Sequence, residues 1–506
     1  MIPLTSIPKQ NRLADSNQSR ELDQLTINEF GIDGFTLMEI AANGAATHIK
    51  KMEGANRKGL YLCGKGNNAG DALAVARYLA NDAAHSVSIL FLLGNQDLSP
   101  DAEKNLKLLR KLKSNGSNIS FLENSDEAFS EEYDYIVDGI FGTGLNSDLR
   151  DPLPDFINRI NAINKTVYSM DVPSGLNADS GFRQGACIQS DFTFTFGTNK
   201  QGLYMNAGPD LSGMVFFINL PFPGYLHQSK TVLIDETLVE TLPEISRTAR
   251  HKYESGVVHI LAGSEGLTGA AVMAAKSAWK QGAGAVFLYA PKKLLPVYES
   301  LLPQIIKVGV GDDKDAFFKP SHTKKIVNSL ENKPGFLLAG PGMGTGQETG
   351  AFLNSILNTF KGPVLLDADA LSFWHSISKL PADQKKEWVL TPHIGEAANY
   401  FGAEFNGDYS RLEWSREFVK EHGCSLLLKG HPAFLCTSDG SAYITRYNTS
   451  AFARAGFGDV LSGAIAALAG ISENISLAVI KSLWDGYQKL CKHPIHHSTF
   501  GPENLL

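Results

Sequence analysis

The segment Gly64-Lys65-Gly66-Asn67-Asn68-Ala69-Gly70-Asp71 stands between an apolar run, GLYLC, and an apolar-striped stretch, DALAVARYLA. A strand, a glycine turn and a helix start together present backbone N–H groups to an anion. The same glycines would serve a tight turn with nothing bound, because glycine takes positive φ freely. Asn68 and Asp71 add polar groups at the carboxyl end of a strand, where open α/β sheets bind ligands. Two more apolar runs end in similar chemistry, Asp138-Gly139-Ile140-Phe141-Gly142-Thr143-Gly144 and Asp171-Val172-Pro173-Ser174-Gly175. Carboxylate, amide and hydroxyl oxygens from three strand ends suit a hard cation and leave the glycine loops for phosphate. Taken singly, Asp138 and Asp171 are equally good caps for the turns that follow them.

The second half carries Ala455-Gly456-Phe457-Gly458-Asp459-Val460-Leu461-Ser462-Gly463, which runs into the small-residue stretch SGAIAALAG. Glycines at a helix start form an anion hole able to stabilise a transferring phosphoryl group, and Asp459 at its mouth could take the proton of an attacking hydroxyl. The alternative is an ordinary helix start with an aspartate in its first turn. Further strand ends bear Gly263-Ser264-Glu265-Gly266, Gly340-Pro341-Gly342-Met343-Gly344, the pair Asp367 and Asp369, His393 with Glu396, and Lys429-Gly430-His431-Pro432-Ala433; Lys252 precedes the first of them. Alone, His393 reads as a structural histidine, Glu396 as a first-turn acid and Lys429 as a solvated turn residue.

Positioning these groups needs repeated strand–loop–helix units. Short β-rich runs do alternate with amphipathic stretches, the pattern of parallel sheets covered by helices. One series comprises runs at 59–64, 86–94, 135–142, 166–175 and 192–197. A second begins at 257–263 and continues at 285–291, 335–342, 363–370 and 387–393, ending in SLLLKG and the hairpin AFLCTSDGSAYITRY. With 506 residues the chain exceeds one ordinary core, and two domains are expected. The mixed segment around residue 235 marks their boundary: domains at 1–225 and 241–506, with a linker at 226–240.

With 43% hydrophobic and 20% charged residues and a net charge of −7, the composition is globular and lacks the basic excess of a nucleic-acid binder. The five cysteines are widely spaced and read as buried thiols of a reducing compartment. No apolar run is long enough for a membrane span and the N-terminus lacks a signal-peptide core, so a cytoplasmic location is expected. His493, His496 and His497 read as a solvated tail rather than a metal site.

In order, GKGNNAGD, VDGIFGTGL, MDVPSGLNADSG and TFTFGTNKQGL, with LMEIAA at 37–42, resemble the NAD(P)H-hydrate epimerase domain of the YjeF N-terminal type, a Rossmann-like α/β three-layer sandwich. The resemblance implies that Asn67, Asn68, Ala69, Gly70 and Asp71, together with Gly142, Thr143, Gly144, Leu145, Asn146, Ser147 and Asp148, cradle a hydrated dinucleotide. It implies that Asp171 contacts the reacting end and that Asn68, Asp138 and Ser174 hold potassium. Ala69 stands where that family usually has glycine.

HKYESG, AGSEGLTGA, QGAGAV, GPGMG, LLDADAL, LTPHIGE, LKGHPA and GFGDVLSG likewise resemble the ADP- or ATP-dependent NAD(P)H-hydrate dehydratase, a ribokinase-like α/β domain. By that resemblance Ala270, Gly342 and His393 touch the hydrated nicotinamide. Lys429, Gly430, His431, Pro432, Ala433 and Gly458 bind the adenine nucleotide with Mg2+, and Asp459 faces the substrate hydroxyl. Arg454-Ala455 replaces a Thr-Gly pair, and Phe457 replaces the usual threonine, which is expected to narrow the phosphate site. The expected whole is a two-step repair enzyme acting on NADH and NADPH hydrates, homo-oligomeric, with no nucleic-acid or membrane partner. The competing expectation is a vitamin or sugar kinase of the ribokinase-like group fused to a non-catalytic scaffold domain.

Overall fold

The computed structural model describes residues 2–3, 6–81, 85–245, 256–447, 449–493 and 499–506. Lys252, His496 and His497 lie outside the described residues, as does most of HKYESG. The chain divides into two compact units, Pro8–Thr231 and a second comprising Met1–Ile7 with Val232–Leu506.

In the N-terminal unit the strands are β1 (Arg12–Ala14), β2 (Arg57–Cys63), β3 (His85–Phe91), β4 (Ile119–Leu122), β5 (Tyr135–Gly139), β6 (Thr166–Met170), β7 (Phe192–Phe196), β8 (Asn199–Lys200) and β9 (Met214–Ile218). Seven form a sheet of order β4-β3-β2-β5-β6-β7-β9, parallel throughout; β1 and β8 pair in parallel outside that sheet. Alternation along β2 explains the three layers. Tyr61 and Cys63 face one core with the helices Gly34–Glu53, Asn67–Asn81 and Pro100–Ser114, while Leu60 and Leu62 face the other with Phe156, Ile157 and Ile160 of the helix Leu153–Asn161. The sheet order reverses between β2 and β5, so the loops after these strands diverge and leave a crevice at their carboxyl ends.

The C-terminal unit contains β10 (Thr231–Ile234), β11 (Val257–Leu261), β12 (Ala285–Pro291), β13 (Ile306–Val310), β14 (Phe336–Ala339), β15 (Val364–Leu366), β16 (Trp388–Leu390), β17 (Ser425–Leu428), β18 (Phe434–Cys436) and β19 (Ala442–Thr445). The order β13-β12-β11-β14-β15-β16-β17 is parallel, and the β18–β19 hairpin adds antiparallel strands. Here the reversal falls between β11 and β14. Val258 and Ile260 pack into a core shared with the helices Thr268–Lys280, Phe457–Ser472 and Ile475–Cys491.

Strand β4, β9 and the strand β13 within PQIIKVG were not among the expected runs; β9 and β13 are edge strands with one exposed end. Residues 226–240, expected as a linker, hold β10 and the helix Glu236–Thr241, whose Leu238 is fully buried. Cysteines 63, 187, 424 and 436 are buried, but Cys491 is exposed, which corrects the expectation of five buried thiols: it ends the helix Ile475–Cys491, where a side chain turned from the core meets solvent. Among the described residues no helix is long and apolar enough to cross a membrane.

Candidate active sites

Each unit has a cavity at the carboxyl end of its parallel sheet. The N-terminal cavity, about 590 Å³, is lined by Asn67, Asn68, Asp71, Gly142, Thr143, Gly144, Leu145 and Asp171, and also by Asp23, Lys65, Asp101 and Lys200. Gly64 lets the two loops meet at the sheet reversal, since a Cβ there would fall on the carbonyl oxygen of Ile140. Across that meeting point Asn68 Nδ2 donates to the Phe141 carbonyl at 2.8 Å. Ala69 and Gly70 are buried in the helix outside the cavity lining, Ala69 in the α/β core and Gly70 against Met38. Asn146, Ser147 and Asp148 are exposed and outside the cavity lining; the loop leaves the cleft after Leu145, so the structure does not bring these three to the site.

Asp138 and Ser174 lie beneath the cleft, both fully buried. Asp138 accepts from Ser174 N at 2.8 Å, Ser174 Oγ at 2.5 Å, Ser169 Oγ at 2.8 Å and Ile140 N at 3.2 Å. Burial nevertheless pushes its carboxyl above the ordinary range, against the pull of those bonds. Asn68, whose Nδ2 shares the Phe141 carbonyl with Ser174 Oγ, buries its Oδ1 with no hydrogen-bond partner. A buried amide oxygen without a partner costs about 1–3 kcal/mol unless something accepts its lone pairs. An all-oxygen environment of this sort fits an alkali cation; among the described residues no group of three or more His, Cys, Asp or Glu offers a transition-metal site.

Asp171 follows β6 with φ of +64°, a left-handed conformation that is strained for a non-glycine residue. Its N donates to Phe194 O at 2.7 Å, and its Oδ1 accepts from Phe196 N at 3.2 Å and forms an ion pair with Lys200 Nζ. Lys200 is 2% exposed and also donates to Phe196 O at 3.0 Å. No role for Lys200 follows from the motif spacing, although TFGTNK places it one short strand beyond β7; its signal was a lysine in an otherwise neutral, glycine-bounded turn. Burial, then the Asp171 carboxylate, push the half-buried Asp71 carboxyl well above its usual range.

The C-terminal cavity, about 610 Å³, is lined by Asp367, His393, Glu396, Lys429, Gly430, His431, Ala433, Gly458 and Asp459, with Phe452, Arg454 and Phe457. Its polar floor comes from successive strand ends. Lys429 Nζ donates to Asp367 Oδ1 at 2.8 Å, the same oxygen that accepts from Thr391 Oγ1 at 2.8 Å, and lies 4.0 Å from Glu396 Oε2. Burial disfavours the Lys429 ammonium, but Asp367 and Glu396 outweigh it and raise its pKa. Asp459 occupies the first turn of the helix Phe457–Ser472, after Gly456 at φ of +95°. Burial, then Asp367, push its carboxyl to about 7, with Lys429 opposing. A carboxylate that loses its proton near neutral pH is suited to general-base work.

His393 is the N-cap of the helix Ile394–Phe401. Its Nδ1 accepts from Glu396 N at 3.1 Å while Glu396 Oε2 accepts from His393 N at 2.7 Å, a reciprocal capping box that still leaves most of the ring open to the cavity. Pro432 is outside the lining, its carbonyl held by Arg411 at 2.7 Å. Ala270 and Gly342 also lie outside that lining; they meet each other at the β11–β14 reversal, where Ser264 Oγ donates to Gly342 O at 2.9 Å. Asp369 accepts from Gly344 N at 2.9 Å. The structure thus gathers Asp367, His393, Glu396, Lys429 and Asp459 in one cavity and leaves Pro432, Ala270 and Gly342 outside its lining. Gly340, at φ of +132°, is required where a Cβ would fall on Asp367 O.

Phe457 is 4% exposed, stacked on Phe500 at 5.8 Å and edge-on to Phe452 at 5.4 Å. Its ring is taken up by an aromatic cluster with Leu490 and forms cavity wall.

Both units are parallel α/β sheets with an acid-bearing cavity at the sheet's carboxyl edge, the class of ligand-binding enzyme folds. Residues 34–202 match the family model described as YjeF-related protein N-terminus, and residues 258–488 match the one described as NAD(P)H-hydrate dehydratase. The chain is 32% identical to the bifunctional NAD(P)H-hydrate repair enzyme Nnr of Dictyoglomus turgidum over 90% of its own length and 88% of the relative. It is 30% identical to that of Escherichia coli over 92% and 86%. A solved structure of the ADP/ATP-dependent NAD(P)H-hydrate dehydratase from Bacillus subtilis, co-crystallised with ATP/Mg2+, aligns at 24% identity with a TM-score of 0.44, covering 54% of this chain and 94% of that one. The chain belongs to the family of bifunctional NAD(P)H-hydrate repair enzymes.

Proposed function

We propose that the N-terminal unit interconverts the R and S hydrates of NADH and NADPH, and that the C-terminal unit dehydrates the S form at the expense of ADP or ATP. The observation that carries the second activity is Asp459, a carboxyl poised near neutrality beside the Lys429–Asp367 pair. A hydroxyl on a reduced nicotinamide ring is a poor leaving group. Asp459 takes its proton as a phosphoryl group is transferred, Lys429 meets the nucleotide phosphates, the ring nitrogen's electrons then expel phosphate, and loss of a proton from the neighbouring ring carbon returns the electron pair to nitrogen and completes the ring double bond. Gly458, Gly430, His431 and Ala433 frame the adenine nucleotide, which enters with Mg2+. His393, Ala270 and Gly342 border the nicotinamide.

In the N-terminal unit Asp171, paired with Lys200, works at the hydroxyl-bearing carbon, while Asn67, Asn68, Asp71 and the Gly142–Leu145 loop hold the dinucleotide. Asn68, Asp138 and Ser174 would hold K+, which when bound supplies positive charge against the buried Asp138 carboxyl and gives Asn68 Oδ1 a partner. One chain with both steps drains both epimers through a single exit. The proposal includes a cytoplasmic location and a homo-oligomeric state.

Incubating the protein with mixed hydrate epimers and either ADP or ATP, while following NADH absorbance, tests it. Complete conversion of the mixture is expected with at least one donor. No regeneration with either overturns the dehydratase assignment, and arrest after the S fraction alone is consumed overturns the epimerase.

A further inference from the structure

Among the acids lining the N-terminal cleft, Asp23 comes from the chain segment before the first strand of the seven-stranded sheet. It lies on the helix Ser16–Leu25, which is tied to the unit at two points. Ser16 N and Oγ donate to Asp179 at 2.5 and 2.8 Å, and one turn on Ser19 Oγ bonds Thr198 Oγ1 at 2.8 Å. These are built contacts, since Ser16, Ser19 and Thr198 are 6%, 7% and 2% exposed. Asp23 follows Ser19 by one further turn, on the same helix face. Thr198 precedes Lys200 by two residues, so the helix is anchored to the loop that carries the ammonium paired with Asp171.

The groups facing Asp23 are Arg20 on its own helix, Lys65 and Asp71 from the β2 loop and helix, Asp101, Asp171 and Lys200, all lining one cavity. Asp23 is exposed on the wall of the cleft; partial desolvation there raises its carboxyl, Lys200 pulls it down and Asp171 pushes it up, with a net position at about 6.

We propose that Asp23 is the second acid–base group of the epimerisation, exchanging a proton with the substrate hydroxyl from the helical wall while Asp171 serves from the sheet. The proposal rests on the epimerase assignment. In one direction Asp23 gives its proton to the hydroxyl as the C–O bond breaks. The ring nitrogen's lone pair forms the C=N bond, and water leaves. Water then adds to the other face of that carbon, the electron pair returns to nitrogen, and Asp171 takes the proton. The reverse direction exchanges the two roles, and no oxidant or reductant is consumed.

The test is R-to-S conversion by the full-length protein, with the epimers separated by chromatography. Asp23→Asn is expected to slow it roughly 10²-fold or more, and Asp23→Glu to recover most of the loss. In the unaltered protein the rate should fall as pH rises past about 6, where Asp23 loses the proton it must give; Asp23→Asn should lack that limb. ADP-driven dehydration of purified S hydrate, measured on the same samples, reports that the variant is folded. A wild-type rate in Asp23→Asn overturns the proposal, and so does a reduced rate that keeps the same alkaline limb, the mark of a merely structural role. If Asp171→Asn abolishes conversion in either case, the epimerase assignment stands without Asp23; if the unaltered protein does not interconvert epimers, that assignment falls first.

Discussion

Lys429 and Asp367 form a buried ion pair, Nζ donating to Oδ1 at 2.8 Å, that spans the end of β16 from β17 to β15. Asp367 is 1% exposed, so its carboxylate depends on the partners the fold supplies. Replacing Lys429 by Ala would leave it without its cation. The expected cost is about 3–5 kcal/mol to the C-terminal unit, read by denaturant unfolding. Because Lys429 also lowers the Asp459 pKa, the variant's acid limb of dehydration should move to higher pH.

The pH dependence of dehydration follows from the sign of the Asp459 shift. A base must be unprotonated, and burial holds this one protonated up to about pH 7. The kcat/KM for the S hydrate should therefore fall tenfold per unit as pH drops well below 7 and level off above it. Asp459→Asn should lose the limb and roughly 10²–10⁴-fold in rate.

Potassium dependence follows from Asn68 Oδ1, buried without a hydrogen-bond partner in the protein. Epimerisation should rise with KCl at constant ionic strength held by a bulky organic cation, while dehydration of S hydrate should not respond through this site. Asn68→Ala should abolish the dependence and hold epimerase activity below the salt-free level of the unaltered protein, because Asn68 also lines the dinucleotide cavity.

Gly64→Ala should separate the two activities. An added Cβ would collide with the Ile140 backbone at the crevice between β2 and β5. The loops must part, so epimerisation should drop by an order of magnitude or more while ADP-driven dehydration stays intact, as measured on separated epimers.

Phe457→Ala should act on stability before chemistry. The ring packs with Phe452, Leu490 and Phe500, and its removal should cost about 3–5 kcal/mol in the C-terminal unit, seen as a lower unfolding midpoint. Phe457→Thr should behave similarly, because a threonine restores a hydroxyl without filling the cluster.

The parallel-strand series was legible because strands buried on both faces read as unbroken apolar runs. Edge strands β9 and β13 were not, since one exposed end dilutes that pattern. The acids at strand ends and at one helix start were visible as motif residues, Asp138, Asp171, Asp367 and Asp459 among them. Lys200 and Asp23 were not: one acts through a partner 29 positions away and the other through a helix anchored by Ser16 and Ser19. Asn146, Ser147 and Asp148 belong to the same loop as Leu145, but nothing local marks where that loop leaves the cleft.

What this chain's sequence determined alone is therefore the succession of strand, glycine turn and helix, repeated in two units, because those preferences are local and set by periodicity and φ. Which acids are charged, paired or poised was decided only by tertiary structure. Asp367 is stabilised by Lys429 and Asp459 is raised to about 7 because burial and neighbouring charge, neither of them properties of adjacent residues, set the free energy of a carboxylate.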